Sequence, residues 1–148
     1  MRRALKFIIP LLVVIVAVNL LMAMLKRRVT RRGDPAADEF DIVNIVDGTD
    51  FASHARALRG GSVRNIIGGV EVDLRGAELA PGGAHLEVET RWGGTRIIVP
   101  PNWRVDVTGR PQAGAHEVEA IAPLDPDAPL LSIEARTAFG ALEVTNGD

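Results

Sequence analysis

Gly68-Gly69-Val70-Glu71-Val72-Asp73-Leu74 is a corner of small residues followed by a strand of alternating character. Four other stretches can be laid beneath it: Asp47-Gly48-Thr49-Asp50-Phe51, Gly93-Gly94-Thr95-Arg96-Ile97-Ile98-Val99, Gly114-Ala115-His116-Glu117-Val118-Glu119-Ala120 and Gly140-Ala141-Leu142-Glu143-Val144-Thr145-Asn146. The lead glycines Gly48, Gly68, Gly93, Gly114 and Gly140 lie 20 to 26 residues apart. A fixed period in this range marks a solenoid in which each repeat is one coil. The expectation is an all-β solenoid of about five short coils over residues 41–148. Its structural corners would be Gly48, Gly68, Gly69, Gly93, Gly94, Gly114 and Gly140.

A second set of strands falls between these: Ser62–Ile66, His85–Arg91, Arg104–Thr108 and Leu131–Arg136. Pro and Gly mark the turns around them, at Pro81-Gly82-Gly83, Pro100-Pro101 and Gly109-Arg110-Pro111. Stacked coils put side chains in columns. The inward column holds Val70 and Val72, Thr95 and Ile97, His116 and Val118, Leu142 and Val144. The outward column holds Glu71, Arg96, Glu117 and Glu143, with Arg96 between two acids and Glu117 facing Glu143. Ile67, Trp92, Ala113 and Phe139 align just before the corners.

Charge divides the chain. Residues 1–32 hold eight Lys/Arg and no acid; the remainder has nine Lys/Arg against nineteen Asp/Glu, hence −10. An acidic domain repels nucleic-acid phosphate, so no nucleic acid is expected as a partner. Residues 7–25 carry no charge and read as one transmembrane α-helix, with membrane lipid as its surroundings. This gives a basic flank at 1–6, the helix at 7–25, a basic juxtamembrane segment and linker at 26–40, and the solenoid at 41–148. Five Lys/Arg after the apolar run against three before it lean toward a single-pass cell-membrane protein with a cytoplasmic domain.

With no cysteine in the chain, disulfides, thiolate metal sites and cysteine nucleophiles are excluded. No second His stands at metal-ligand spacing from His54, His85 or His116, and no Gly-x-Ser-x-Gly elbow or phosphate-binding loop occurs. Asp125-Pro126-Asp127 reads as a turn, lacking the ligand density calcium needs. No catalytic residue, metal or cofactor is therefore expected. Glu71, Asp73, Arg75, Arg96 and Trp103 remain as interaction residues. Asp73 and Arg75 are placed to pair with each other, and packing is favoured over exposure for Trp92.

The run Gly68-Gly69-Val70-Glu71-Val72-Asp73-Leu74-Arg75-Gly76-Ala77, with Val99-Pro100-Pro101-Asn102-Trp103-Arg104-Val105, resembles the cell-wall-active antibiotic response family of the LiaF type. The resemblance covers about residues 41–148. It implies a right-handed "toast-rack" β-solenoid, a membrane anchor and envelope-stress signalling, in which the best-known members restrain a membrane sensor kinase. Those members carry several spanning segments and this chain one, and the resemblance brings no catalytic residues. The resulting expectation is a non-enzymatic regulatory and protein-interaction module. The alternatives are a self-assembling scaffold of stacked coil ends, hence a homo-oligomer, and a β-helical enzyme acting on envelope polysaccharide through stacked carboxylates.

Overall fold

Alternation at period two runs straight through the glycine corners, so the corners bend strands instead of ending them. The structure, a computed structural model, describes residues 2–29 and 32–147, with side chains for 8–24 and 32–147. The basic flank 1–6 and the run 26–31 have side chains outside the described residues. The chain forms two units, Met1–Thr30 and Arg31–Asp148. The first is helix α1, Arg2–Val29, with Pro10 inside it. The second carries strands β1 Glu39–Asn44, β2 Asp47–Ala52, β3 Gly60–Asp73, β4 Ala84–Ile98, β5 Arg104–Thr108, β6 Pro111–Val118 and β7 Leu130–Thr145. The first strand starts at Glu39, two residues before the expected boundary at 41.

Every pairing is parallel. The first arm of the sheet runs β1-β3-β4-β7-β5; past the bend, β2 pairs with β3 and β6 with β7, giving a second arm. Three strands, β3, β4 and β7, continue through the bend. At each edge the strand is broken in two.

Two expectations about fold class are corrected here. A solenoid adds coils in chain order, whereas β7, the last strand, lies between β4 on one side and β5 and β6 on the other. The sheet is open, with two free edges, and is no solenoid. The cause is visible in β6. Pro111 has no N–H to give, so a strand containing it belongs at an edge. β6 is also poorly buried along its length, while β7 buries Leu131, Ile133, Ala135, Leu142 and Val144. The chain therefore returns through residues 119–129 and inserts its more apolar strand inside. The second correction concerns the transmembrane helix. Among the described residues no helix is long and apolar enough to cross a membrane.

The core lies inside the angle of the two arms. Ile42, Val63, Val88 and Ala135 line the first arm, and Val70, Val72, Ile97, Leu142 and Val144 the second. Full burial of such side chains contributes roughly 1.5–3 kcal/mol each. At the β1–β2 edge Phe40 and Phe51 meet across the angle with ring centroids 4.9 Å apart. The opposite edge is less well covered: Val118, expected inside, is 48% exposed.

The bend is built from two residues per strand. Gly93 has φ +124°, and a Cβ there would overlap the carbonyl oxygen of Gly68 on the neighbouring strand. In β2 the equivalent position is Asp47, opposite Gly68, with φ 143°. Gly48 lies opposite Gly69 with open space around it, so the first corner residue is Asp47 and not Gly48. Three residues before the bend, in every row but that of β6, where Pro111 stands, is a polar residue facing inward: Asn44, Asn65, Thr90 and Thr137, in register and at most 2% exposed. Asn65 Nδ2 donates to the carbonyls of Gly68 and Gly94, both at 3.0 Å, and its Oδ1 accepts from Asn44 Nδ2 at 2.9 Å. The Thr90 and Thr95 hydroxyls hydrogen-bond at 2.7 Å. Carbonyls that the bend turns away from the ladder thus find partners, as buried polar groups require.

Candidate functional site

Two rows of side chains stand on the outer surface beside the bend. The first is charged. Register places Asp50, Glu71, Arg96, Glu143 and Glu117 in line across β2, β3, β4, β7 and β6. Arg96 does lie between two acids, Glu71 at 4.0 Å and Glu143 at 3.3 Å. Glu143 takes the place expected for Glu117, because β7 is interposed. The Arg96 Nε contact with Glu143 lacks hydrogen-bond alignment. All three side chains are about two-fifths exposed, so these pairs are worth little. Gly48, Gly69, Gly94 and Ala141 form the floor of a shallow groove beside the row.

Asp73 and Arg75 pair as expected, Arg75 Nη2 to Asp73 Oδ2 at 2.7 Å. The side-chain hydrogen bond from Arg75 holds the Asp73 carboxyl below its ordinary range. His116 Nε2 meets Thr137 Oγ1 at 2.9 Å, and burial lowers its pKa. It is a rim histidine of the second arm. Trp103 is 3% exposed and lies in the core, so it presents no contact surface.

The second row is apolar and was expected to be packed. Ile67, Trp92 and Phe139 are in register on β3, β4 and β7. They are 48%, 57% and 49% exposed. The Trp92 and Phe139 rings stack at 4.5 Å, at an interplanar angle of 21°. Each ring covers one face of the other, and the pair stands with Ile67 as a half-exposed apolar ridge. The bend explains the exposure. Side chains just before the corner point away from the angle, at its outer vertex. The alignment of Ile67, Trp92 and Phe139 was visible in the sequence; the outward direction of that column was not.

Beside the ridge a cleft of about 420 Å³ is lined by Trp92, Phe139, Arg91, Arg110, Arg136 and Glu89, among others. Arg91 Nε binds Glu89 at 2.9 Å, and Arg136 Nη2 binds Glu134 at 2.8 Å. With Arg91 and Arg136 each paired to an acid, Arg110 leaves the cleft mildly basic on an acidic domain. Sequence reasoning missed these arginines. They come from β4, the β5–β6 connection and β7, and only the insertion of β7 beside β4 brings them together.

No family model, curated protein or solved structure matches this chain.

Proposed function

We propose that the chain is a non-enzymatic regulatory and protein-interaction module acting in a bacterial envelope-stress response. The observation that carries the interaction reading is the ridge Ile67–Trp92–Phe139, three large apolar side chains in register and about half exposed. Aromatic side chains beside arginine are the commonest anchors of protein interfaces. Their strands are central in the sheet, so the ridge is rigid and loses little entropy on binding. The envelope-stress assignment rests on the resemblance of the Gly68–Ala77 and Val99–Val105 motifs, which also suggests a sensor kinase as the partner class.

The test is a chromosomal Trp92→Ala, Phe139→Ala variant in cells that encode the protein. Both residues are exposed, so the domain should remain folded, as circular dichroism would check. The expected result is an envelope-stress transcriptional response matching that of the gene deletion, with Glu71→Gln behaving as wild type. A folded ridge variant with a wild-type response would overturn the reading.

A further inference from the structure

We propose that the basic aromatic cleft receives the loop 119–127 of a second copy of this chain. The inference rests on the interaction reading above, whose ridge forms one wall of the cleft, and names an occupant for it. The loop is Glu119-Ala120-Ile121-Ala122-Pro123-Leu124-Asp125-Pro126-Asp127. Leu124 is fully exposed and Ile121 is 76% exposed, the two most exposed large apolar side chains among the described residues. Three acids, Glu119, Asp125 and Asp127, stand around them.

The cleft has the complementary character: apolar rings from Trp92 and Phe139, beside Arg91, Arg110 and Arg136. Apolar side chains fit against the rings while carboxylates meet guanidiniums, the charge-assisted pairing that arginine makes best. The loop is also braced for the task. The Asp127 amide donates to Asp125 Oδ1 at 2.9 Å, and the Ile121 amide donates to Asn146 Oδ1 at 2.6 Å. Pro123 and Pro126 further limit its freedom before docking.

Topology sends this contact between copies. Residues 119–129 join the end of the second arm at Val118 to the start of the first arm at Leu130, and so close the open side of the angle. The cleft lies on the outer surface by the vertex. The loop does not line its own chain's cleft, and Leu124 stands fully exposed, so the cleft is open to the loop of another copy.

The test uses the full chain, which has no cysteine of its own. Ala122→Cys on one chain and Gln112→Cys on a second, size-tagged chain leave the apolar and charged side chains in place; both positions are exposed. Under mild oxidation the mixed disulfide dimer is expected to exceed, by about tenfold, the yield from Ala122→Cys with Glu39→Cys, at the far edge of the sheet. Adding Arg110→Glu to the Gln112→Cys chain, or Leu124→Ser to the Ala122→Cys chain, is expected to return the yield to that background, as loss of an anchor does. Equal yields from both pairs, or a yield that Arg110→Glu leaves unchanged, would overturn the proposal. A specific cross-link with a wild-type response of the ridge variant removes the signalling function alone. A null cross-link with a defective ridge variant removes the self-contact alone.

Discussion

At the scale of the residue, neighbouring glycines do different work. Gly93 has φ +124° and its hydrogen faces the Gly68 carbonyl, whereas Gly94 has nothing within 4 Å of where a Cβ would stand. Ala141 already occupies the row of Gly94 in β7. Gly93→Ala is expected to destabilise by at least about 3 kcal/mol, since strain and overlap add. Gly94→Ala should be neutral or stabilising by up to about 1 kcal/mol. Urea unfolding followed by the fluorescence of buried Trp103 would measure both, and equal losses would refute the assignment of the bend. His116 gives a pH dependence. Burial lowers its pKa in the fold relative to an unfolded value near 6.5, so the unfolded state binds more protons as pH falls through that value. Stability is then full above about pH 7 and declines as pH falls through 6.5 toward the folded value. Asp73 and Glu89, held low by Arg75 and Arg91, lose stability in the same direction at more acid pH, around and below 4. Urea midpoints between pH 7.5 and 5.5 should fall for the natural chain and flatten for His116→Gln; an unchanged slope would show that His116 is not the group.

At the scale of the element, the bent strand depends on its buried polar row. Asn65→Leu leaves the Gly68 and Gly94 carbonyls without their donor, while Asn44 keeps the Asp47 and Ile67 carbonyls as acceptors. The expected cost is about 2–4 kcal/mol, because unsatisfied buried groups keep their full desolvation penalty. Thr90→Val should cost about 1 kcal/mol, and Thr90→Val with Thr95→Val less than the sum, since neither partner is then stranded. A double-mutant cycle by urea unfolding checks this; strict additivity would deny the 2.7 Å contact its role. Strands and columns were legible in the sequence because period two and the glycine row are local signals. Arg104–Thr108 emerges with the expected bounds, and Val70, Val72, Ile97, Leu142 and Val144 all face inward. The polar row was not read from the sequence, because its role appears only once the bend is known to free carbonyls. The order of strands was not, because pairing partners are non-local and every repeat carries a similar pattern. Pro111 was the one local clue that the repeat containing it must lie at an edge. The basic cleft depends on that order, so it was hidden for the same reason.

At the scale of the whole molecule, an open parallel sheet with two free edges invites another copy to continue it. The register shows what such continuation would bring together. Glu39, Gly60, His85, Ser132 and Asp106 share one line across the first arm, and Asp50, Glu71, Arg96, Glu143 and Glu117 one line across the second. A copy added end to end in the same register would set Glu39 beside Asp106 and Asp50 beside Glu117. Directly opposed like charges on adjacent strands are destabilising, and both pairs would repeat at every junction. Pro111 at the β6 edge withholds one more backbone donor. The broken edge strands are short, which limits the template further. These features act against a self-assembling scaffold of stacked ends and leave lateral contact, through ridge, cleft and loop, as the route to a partner. Asp106→Lys with Glu117→Lys reverses both junctions. With Arg110→Glu added to both chains to remove the loop-to-cleft contact, analytical ultracentrifugation is expected to show concentration-dependent elongation for that variant, weakening as salt screens the new pairs, and none for the chain with natural edges. End-to-end growth of the natural chain, unaffected by these substitutions, would show that edge charge does not govern assembly.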